Sequence, residues 1–300
     1  MKKIVVTGSS GRIGSAIAQV LSKEFQVTGI DIAEGRHTTL IADILDKTRL
    51  SKAFEGCEAV IHAAAFHAPH VGRVKDEEFM RVNVEGTKTV AILTKTHGLR
   101  KIIFTSTTAL YGYASQAEEK ASWIDEKTKP EPKTIYHRSK LECEEFLKGF
   151  AKENYIPVVS IRMSRCFPEP ANLMAVYRLH RGIDKRDVAR AHQLALESHH
   201  QNLFETFIIS GETPFKQEDC RGLFHDACSI IKIRSPGLWN LLAERGFEIP
   251  GSVDRVYCSD KARKHLNWRP EYGFKEVIHQ LDQNSREVLD PVCSWNQKCF

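Results

Sequence analysis

The chain lacks most of what would mark a membrane or nucleic-acid protein. No apolar run in its 300 residues approaches the ~20 that span a bilayer. No polybasic tract stands out, because the lysines and arginines are scattered among acids; the formal charge of +5 is only a mild positive field. Such a field favours an anionic substrate or cofactor over a nucleic-acid surface. No polar low-complexity run is present, and 42% hydrophobic content supports a sizeable core. The eight cysteines form no C-x-x-C pair. The N-terminal MKKIVVTG enters a strand with no apolar signal region, so the expectation is a cytoplasmic protein with reduced thiols. Cys293 and Cys299 near the C-terminus read as spare thiols. No metal site is expected: His67 and His70 share i, i+3 spacing around Pro69, but no second ligand group is near in sequence.

What is present is alternation. IVVTG (4–8), QVTGID (26–31), AVIHAAA (59–65), KIIFTST (101–107), PVVSIRM (157–163) and TFIISG (206–211) read as strands. Helical spacing runs through 12–23, 84–97, 135–152 and 187–198. Repeated βαβ units predict an α/β, Rossmann-type doubly wound parallel sheet with helices on both faces. Residues 212–290 lose the rhythm and look mostly helical. The expected division is a dinucleotide-binding domain of 1–165, rejoined by 183–211, and a small substrate cap of 166–182 and 212–300.

The first turn, VTGSSGRIGSAIA, sets Gly8, Gly11 and Gly14 between a strand and a helix. Glycine permits the tight turn and close approach of a pyrophosphate, and the helix start supplies N–H groups from the stretch holding Arg12 and Ile13. Asp31 ends the second strand, where a carboxylate accepts ribose hydroxyls and repels a 2′-phosphate. The expected cofactor is therefore NAD, with Arg36 the one nearby residue that works against that preference. Asp43 follows a further short strand and is placed to meet the adenine or to cap a helix. His62, inside an apolar strand, reads as a near-core residue. Asn83 reads as fixing helix geometry or a water chain, or as a plain cap.

Tyr136 and Lys140 lie one helical turn apart in TIYHRSKLECEEF (134–146), hence on one face. A free phenol titrates near pH ~10 and is a poor base at neutrality. A neighbouring ammonium lowers its pKa.

The ordered set T-G-x-x-G-x-x-G, HAAA (62–65), N83-V-E-G-T, TSTTALYG (105–112), Y136-x-x-x-K140 and DVARA (187–191) resembles the extended short-chain dehydrogenase/reductases, the NAD-dependent epimerase/dehydratase family. SDKARKHLNWRPEYGF (259–274) resembles that group's C-terminal signature. The resemblance implies a catalytic set of Tyr136 as general acid/base, Lys140 as its pKa-lowering partner on the nicotinamide ribose, and Thr107 as the orienting hydroxyl. It implies Ala63 and Ala64 on the cofactor, Thr108 toward substrate, and a homodimer. His67, on the loop after the 59–65 strand and on the ligand side of the sheet, reads as a substrate contact or a plain loop residue.

Thr108-Ala109 stands where the family's dehydratases carry Asp-Glu, which disfavours dehydration. Only sixteen residues separate Pro170 from Asp187, leaving little room for a nucleotide pocket. SIRMSRCFPEPANLM (160–174) resembles the corresponding stretch of uronate dehydrogenases, except that Met174 replaces their carboxylate-gripping arginine. Arg165, Arg178 and Arg181 are the candidate replacements. The expected activity is NAD-dependent hydride transfer from a secondary alcohol or hemiacetal of a small sugar-like molecule. The alternatives are a nucleotide-sugar 4-epimerase with tightly bound NAD and a non-catalytic NAD sensor.

Overall fold

The computed structural model describes residues 1–199 and 201–291, so Cys293 and Cys299 lie outside the described residues. The chain runs β1 (Lys3–Thr7), α1 (Arg12–Leu21), β2 (Gln26–Asp31), β3 (Leu40–Ile41), α2 (Lys47–Phe54), β4 (Ala59–His62), α3 (Asp76–Phe79), α4 (Gly86–Thr96), β5 (Lys101–Thr107), β6 (Ser122–Ile124), α5 (Ile135–Asn154) and β7 (Val158–Met163). There follow α6 (Ala171–Tyr177), α7 (Lys185–Glu197), β8 (Phe204–Ile209), α8 (Cys220–His225), α9 (Ala227–Arg234), α10 (Pro236–Glu244), β9 (Arg255–Tyr257), α11 (Asp260–His265) and α12 (Phe274–Asp282).

Seven strands pair in the order β3-β2-β1-β4-β5-β7-β8, every pairing parallel. The fold is Rossmann-like. The chain winds outward one way from β1 and the other way from β4, so the carboxyl ends of those two strands flank a crevice, the usual ligand position in such sheets. One face is closed by α1, α7 and α11 over a core that includes Ile17, Leu21, Ile61, Ile161 and Trp268. The other is closed by α2, α4 and α5 over Leu50, Phe54, Val60, Phe104 and Leu147. Both apolar layers follow from strands that are hydrophobic on both sides. A separate cluster joins α6, α8, α9, α10 and α12 through Met174, Leu223, Ile231, Leu242 and Val277.

Three readings need correction. The strand read over 59–65 ends at His62, because the chain turns into the crevice there. The helix read over 84–97 is preceded by a wider, π-type turn over Met80–Glu85, and α4 starts at Gly86. Such turns are frequent at functional sites. The C-terminal stretch is not wholly helical: β9 pairs in parallel with β6. No helix among the described residues is long and apolar enough to cross a membrane.

Candidate active site

The crevice opens as a cavity of about 610 Å³ reaching from the Gly8–Gly14 turn to Lys140. Its floor is backbone. Gly8 has φ +73°, and a Cβ there would lie 2.7 Å from the Ala64 nitrogen. A Cβ on Gly14 would lie 1.9 Å from the Gly8 carbonyl oxygen. Only hydrogens fit where β1, α1 and the end of β4 converge, which leaves the cradle free for a ligand. Thr7 secures the junction: its hydroxyl accepts the Ala63 and Ala64 N–H groups, each at 3.2 Å. Asp31 accepts Ser10 N–H at 2.9 Å and Ala33 N–H at 3.1 Å, and its carboxylate lines the cavity. Volume, glycine cradle and rim carboxylate together fit a dinucleotide.

The remaining expected cofactor residues fall around this cavity. Ile13, Ala63, Ala64 and Asp43 line it. Asp43 does not cap α2; Asp46 does, accepting Arg49 N–H, while Asp43 accepts Leu45 N–H. Arg12 lines the cavity, but its guanidinium is engaged by Glu287 and the Cys166 carbonyl. Arg36 is exposed and does not line it.

Tyr136 and Lys140 enter from the first turns of α5, whose start is capped by Thr134 accepting His137 N–H. Both side chains are buried. The phenol's pKa is pushed up to about 12, chiefly by burial and only partly offset by the Thr107 side chain. Lys140 is not among the causes. Its ammonium donates to the Thr105 carbonyl at 2.8 Å and lies 4.6 Å from the Phe104 ring centre. This departs from the simple picture of an ammonium set against the phenol. A buried ammonium needs an acceptor, and the carbonyl at the end of β5 provides one. Burial also pulls the Lys140 pKa down to about 8.

Asn83, on the π-type turn, does more than cap. Its carbonyl accepts Phe66 N–H at 2.7 Å, and its amide donates to the Phe66 carbonyl at 3.0 Å and to Ser139 Oγ at 2.9 Å. It thereby ties the loop after β4 to the helix carrying Tyr136 and Lys140. His62 is buried between Thr7 and Thr87 hydroxyls, and burial followed by the Lys140 charge lowers its pKa to about 3. It is a neutral spacer, as its apolar strand suggested. His70 Nδ1 accepts His67 N–H, and the His67 ring stacks on Phe167.

A second cavity of about 190 Å³ adjoins the first. His67, Tyr136, Met163, Cys166 and Phe167 line both. Thr107, Thr108, Arg165, Arg181, Arg255 and Tyr257 line only the smaller. Of the three arginines considered for an anion, Arg178 is removed from the site: it is buried against Asp184 at 3.2 Å. Arg165 is exposed and paired with Glu169. Met174 is in the helical core and cannot reach a ligand. Arg255 and Tyr257 were not foreseen. They sit on a three-residue strand far from the catalytic motifs, and only its pairing with β6 brings them here.

A model of the NAD-dependent epimerase/dehydratase family matches residues 4–173. A uronate dehydrogenase of Pseudomonas putida is 29% identical over 178 residues, covering 57% of this chain and 63% of that protein. A UDP-glucose 4-epimerase of Streptomyces lividans is 29% identical over 171 residues, covering 53% and 50%. The match thus spans less than two thirds of either relative. A short-chain dehydrogenase/reductase superfamily protein of Agrobacterium tumefaciens, solved with bound NAD, superposes with a TM-score of 0.71 at 19% identity over 94% of this chain and 96% of that one. At that identity the likeness concerns the fold.

Proposed function

Because the chain belongs to the NAD-dependent epimerase/dehydratase family, a family of enzymes, we propose that it transfers a hydride from a secondary alcohol or hemiacetal of a small sugar-like substrate to NAD. One observation carries the reading: Tyr136 lines both cavities, so its phenol faces the dinucleotide cleft and the smaller chamber at once. In this reading residues 1–165 with 183–211 hold the cofactor, residues 166–182 with 212–300 cover the substrate, and the enzyme works as a homodimer.

When bound, the nicotinamide supplies the hydride acceptor. The chain supplies the rest. Gly8, Gly11 and Gly14 with the start of α1 receive the pyrophosphate. Asp31 receives the adenosine ribose hydroxyls and disfavours a 2′-phosphate. Thr107 orients the substrate hydroxyl, and Tyr136 takes its proton. Burial leaves the phenol protonated at neutral pH. Proton abstraction therefore needs a nearby cation, and Lys140 on the same helical face is the chain's own source.

The nucleotide-sugar epimerase reading has the similarity to the Streptomyces enzyme in its favour and the 190 Å³ chamber against it. One panel separates the two: free sugars, sugar acids and UDP-sugars, each with NAD and with NADP. The expected result is NADH formation with a free sugar or sugar acid and a preference for NAD. UDP-sugar interconversion without net NADH would replace this reading by the epimerase.

A further inference from the structure

Arg12 stands inside the glycine turn, between Gly11 and Gly14, yet its side chain is tied to residues far along the chain. Its Nε donates to the Cys166 carbonyl at 2.9 Å, and its Nη2 donates to the Glu287 carboxylate. A phosphate cradle does not require a carboxylate. Anion recognition at a helix start works through N–H groups and the positive end of the dipole, and a fixed negative charge opposes it.

Glu287 is brought to the cradle by the segment after α12. Just beyond it the backbone is pinned: Leu289 N–H donates to the Glu169 carbonyl at 3.0 Å, and Ala171 N–H donates back to the Leu289 carbonyl at 3.0 Å. Val288 is buried in the helical cluster that holds Met174 and Val277. The carboxylate is divided between two cations. Oε2 accepts from Arg12, and Oε1 accepts from Lys185 Nζ at 2.5 Å. Burial opposes its ionisation, but the bonds from Lys185 and Arg12 outweigh that and hold its pKa below the usual carboxylate range. The side chains of Arg12, Glu287 and Lys185 are 26, 28 and 33% exposed, so the cluster is open to exchange of partners yet less screened than a surface pair.

Arg12 lines the larger cavity, whereas Glu287 and Lys185 do not. One guanidinium thus serves a cleft suited to a pyrophosphate and a carboxylate fixed in the chain. Its N–H fork matches the paired oxygens of either anion and cannot be given in full to both. Lys185 eases the exchange, since a carboxylate that gives up Arg12 still keeps a cation.

We propose that Glu287 is a built-in competitor of the dinucleotide: its carboxylate and the cofactor's pyrophosphate contend for Arg12, and Lys185 retains the carboxylate when the pyrophosphate prevails. The proposal rests on the glycine cleft holding NAD. It gives the cradle a lower affinity than its backbone alone would supply. A dehydrogenase must exchange its cofactor at every turnover, and a competing carboxylate hastens release. An enzyme that retained its dinucleotide would gain nothing from it.

Calorimetric titration with NAD, ADP-ribose and adenosine tests this. Glu287→Gln should bind NAD and ADP-ribose about 3–10-fold more tightly. Adenosine, which has no pyrophosphate, should bind as before. Lys185→Gln should act in the opposite direction, weakening both dinucleotide ligands about 2–5-fold, because Glu287 is then left to Arg12 alone. Arg12→Gln should weaken NAD, and adding Glu287→Gln to it should change nothing further, as competition for one group demands. Melting temperature certifies each variant. If Glu287→Gln does not fold, hydrogen exchange on the unaltered protein carries the test: ADP-ribose should speed exchange at the Glu287 and Leu289 N–H groups, where plain stabilisation by a ligand would slow it. NAD affinity unchanged or lowered in Glu287→Gln, a gain shared by adenosine, or a gain that persists beside Arg12→Gln would overturn the competition and leave the cofactor reading standing. Failure of every form to bind NAD and ADP-ribose would refute both.

Discussion

The two cavities that meet at Tyr136 are made of different material. The larger is built from backbone: three glycines, the N–H groups of a helix start and the ends of adjacent strands. The smaller is built from side chains delivered by segments far apart in the chain. Backbone that approaches a ligand must obey steric rules which leave a local mark in the sequence, namely glycine at fixed spacing between a strand and a helix. Side chains that converge by tertiary pairing leave no such mark. One half of the site can therefore be read from a dozen consecutive residues, and the other only from the folded chain.

Of the residues common to both cavities, Tyr136 should give the largest effect. Tyr136→Phe keeps the ring, its burial and its packing against Phe79 and Ile135. It removes only the phenol hydroxyl, whose pKa the Thr107 side chain helps to set. Loss of a positioned acid/base costs about 100- to 10,000-fold, so kcat should fall by that amount while dinucleotide affinity, measured by calorimetry, stays within about threefold. A variant that retains most of its turnover would separate the phenol from the chemistry.

The same contrast governs what was legible in the chain. The strands at 26–31 and 101–107 were found at their observed limits, and β7 and α5 to within two residues, since each carries strong apolar patterning. The glycines, Asp31, Thr107, Tyr136 and Lys140 were also found, because each lies in a local motif. β9 was missed: three residues have too little periodicity to register, and its partner β6 is remote. Arg255 was missed with it. The Lys140 bond to Thr105 was missed because spacing within a helix says nothing of acceptors on a neighbouring strand. Of the arginines weighed after the PEPAN stretch, Arg181 does line the smaller chamber, while burial and Asp184 settle Arg178 elsewhere.

A backbone cradle should be intolerant of one added methyl group. In Gly14→Ala the new Cβ would lie 1.9 Å from the Gly8 oxygen and 2.5 Å from its carbonyl carbon. Backbone cannot swing aside as a side chain can, so α1 must shift off the loop. Strain of ~1–3 kcal/mol implies dinucleotide affinity about 10–100-fold weaker and a lower melting temperature. Gly149→Ala in α5 is the matched control, because its Cβ would meet nothing within 4 Å. That variant should gain ~0.5–1 kcal/mol. Equal effects from the two would mean that the cradle is not tight.

The smallest effect falls on both regions together and comes from buried histidines. His62 beside the larger cavity and His180 behind the smaller are each lowered to about 3, in both cases chiefly by burial. His192, on α7, is lowered to about 4 for the same reason. A depressed pKa means that the unfolded chain takes up the proton first. Stability from these groups is complete above ~6.5, the ordinary histidine value, and drains away as pH falls from there toward 4 and 3. Asp187 works the other way. Burial raises its pKa to about 6 against the N–H bonds it accepts from Glu271 and Tyr272, so the folded chain gains a proton between pH 6 and the ordinary ~3.9 and recovers some stability there. Three histidines against one carboxylate leave acid destabilisation as the net result. The melting temperature should fall steadily from pH 7 to pH 5, less steeply in His62→Gln and in His180→Gln, each variant removing its own share. A flat profile over that range would mean that the histidines on both sides of Tyr136 reach solvent, and that neither region rests on a buried neutral imidazole.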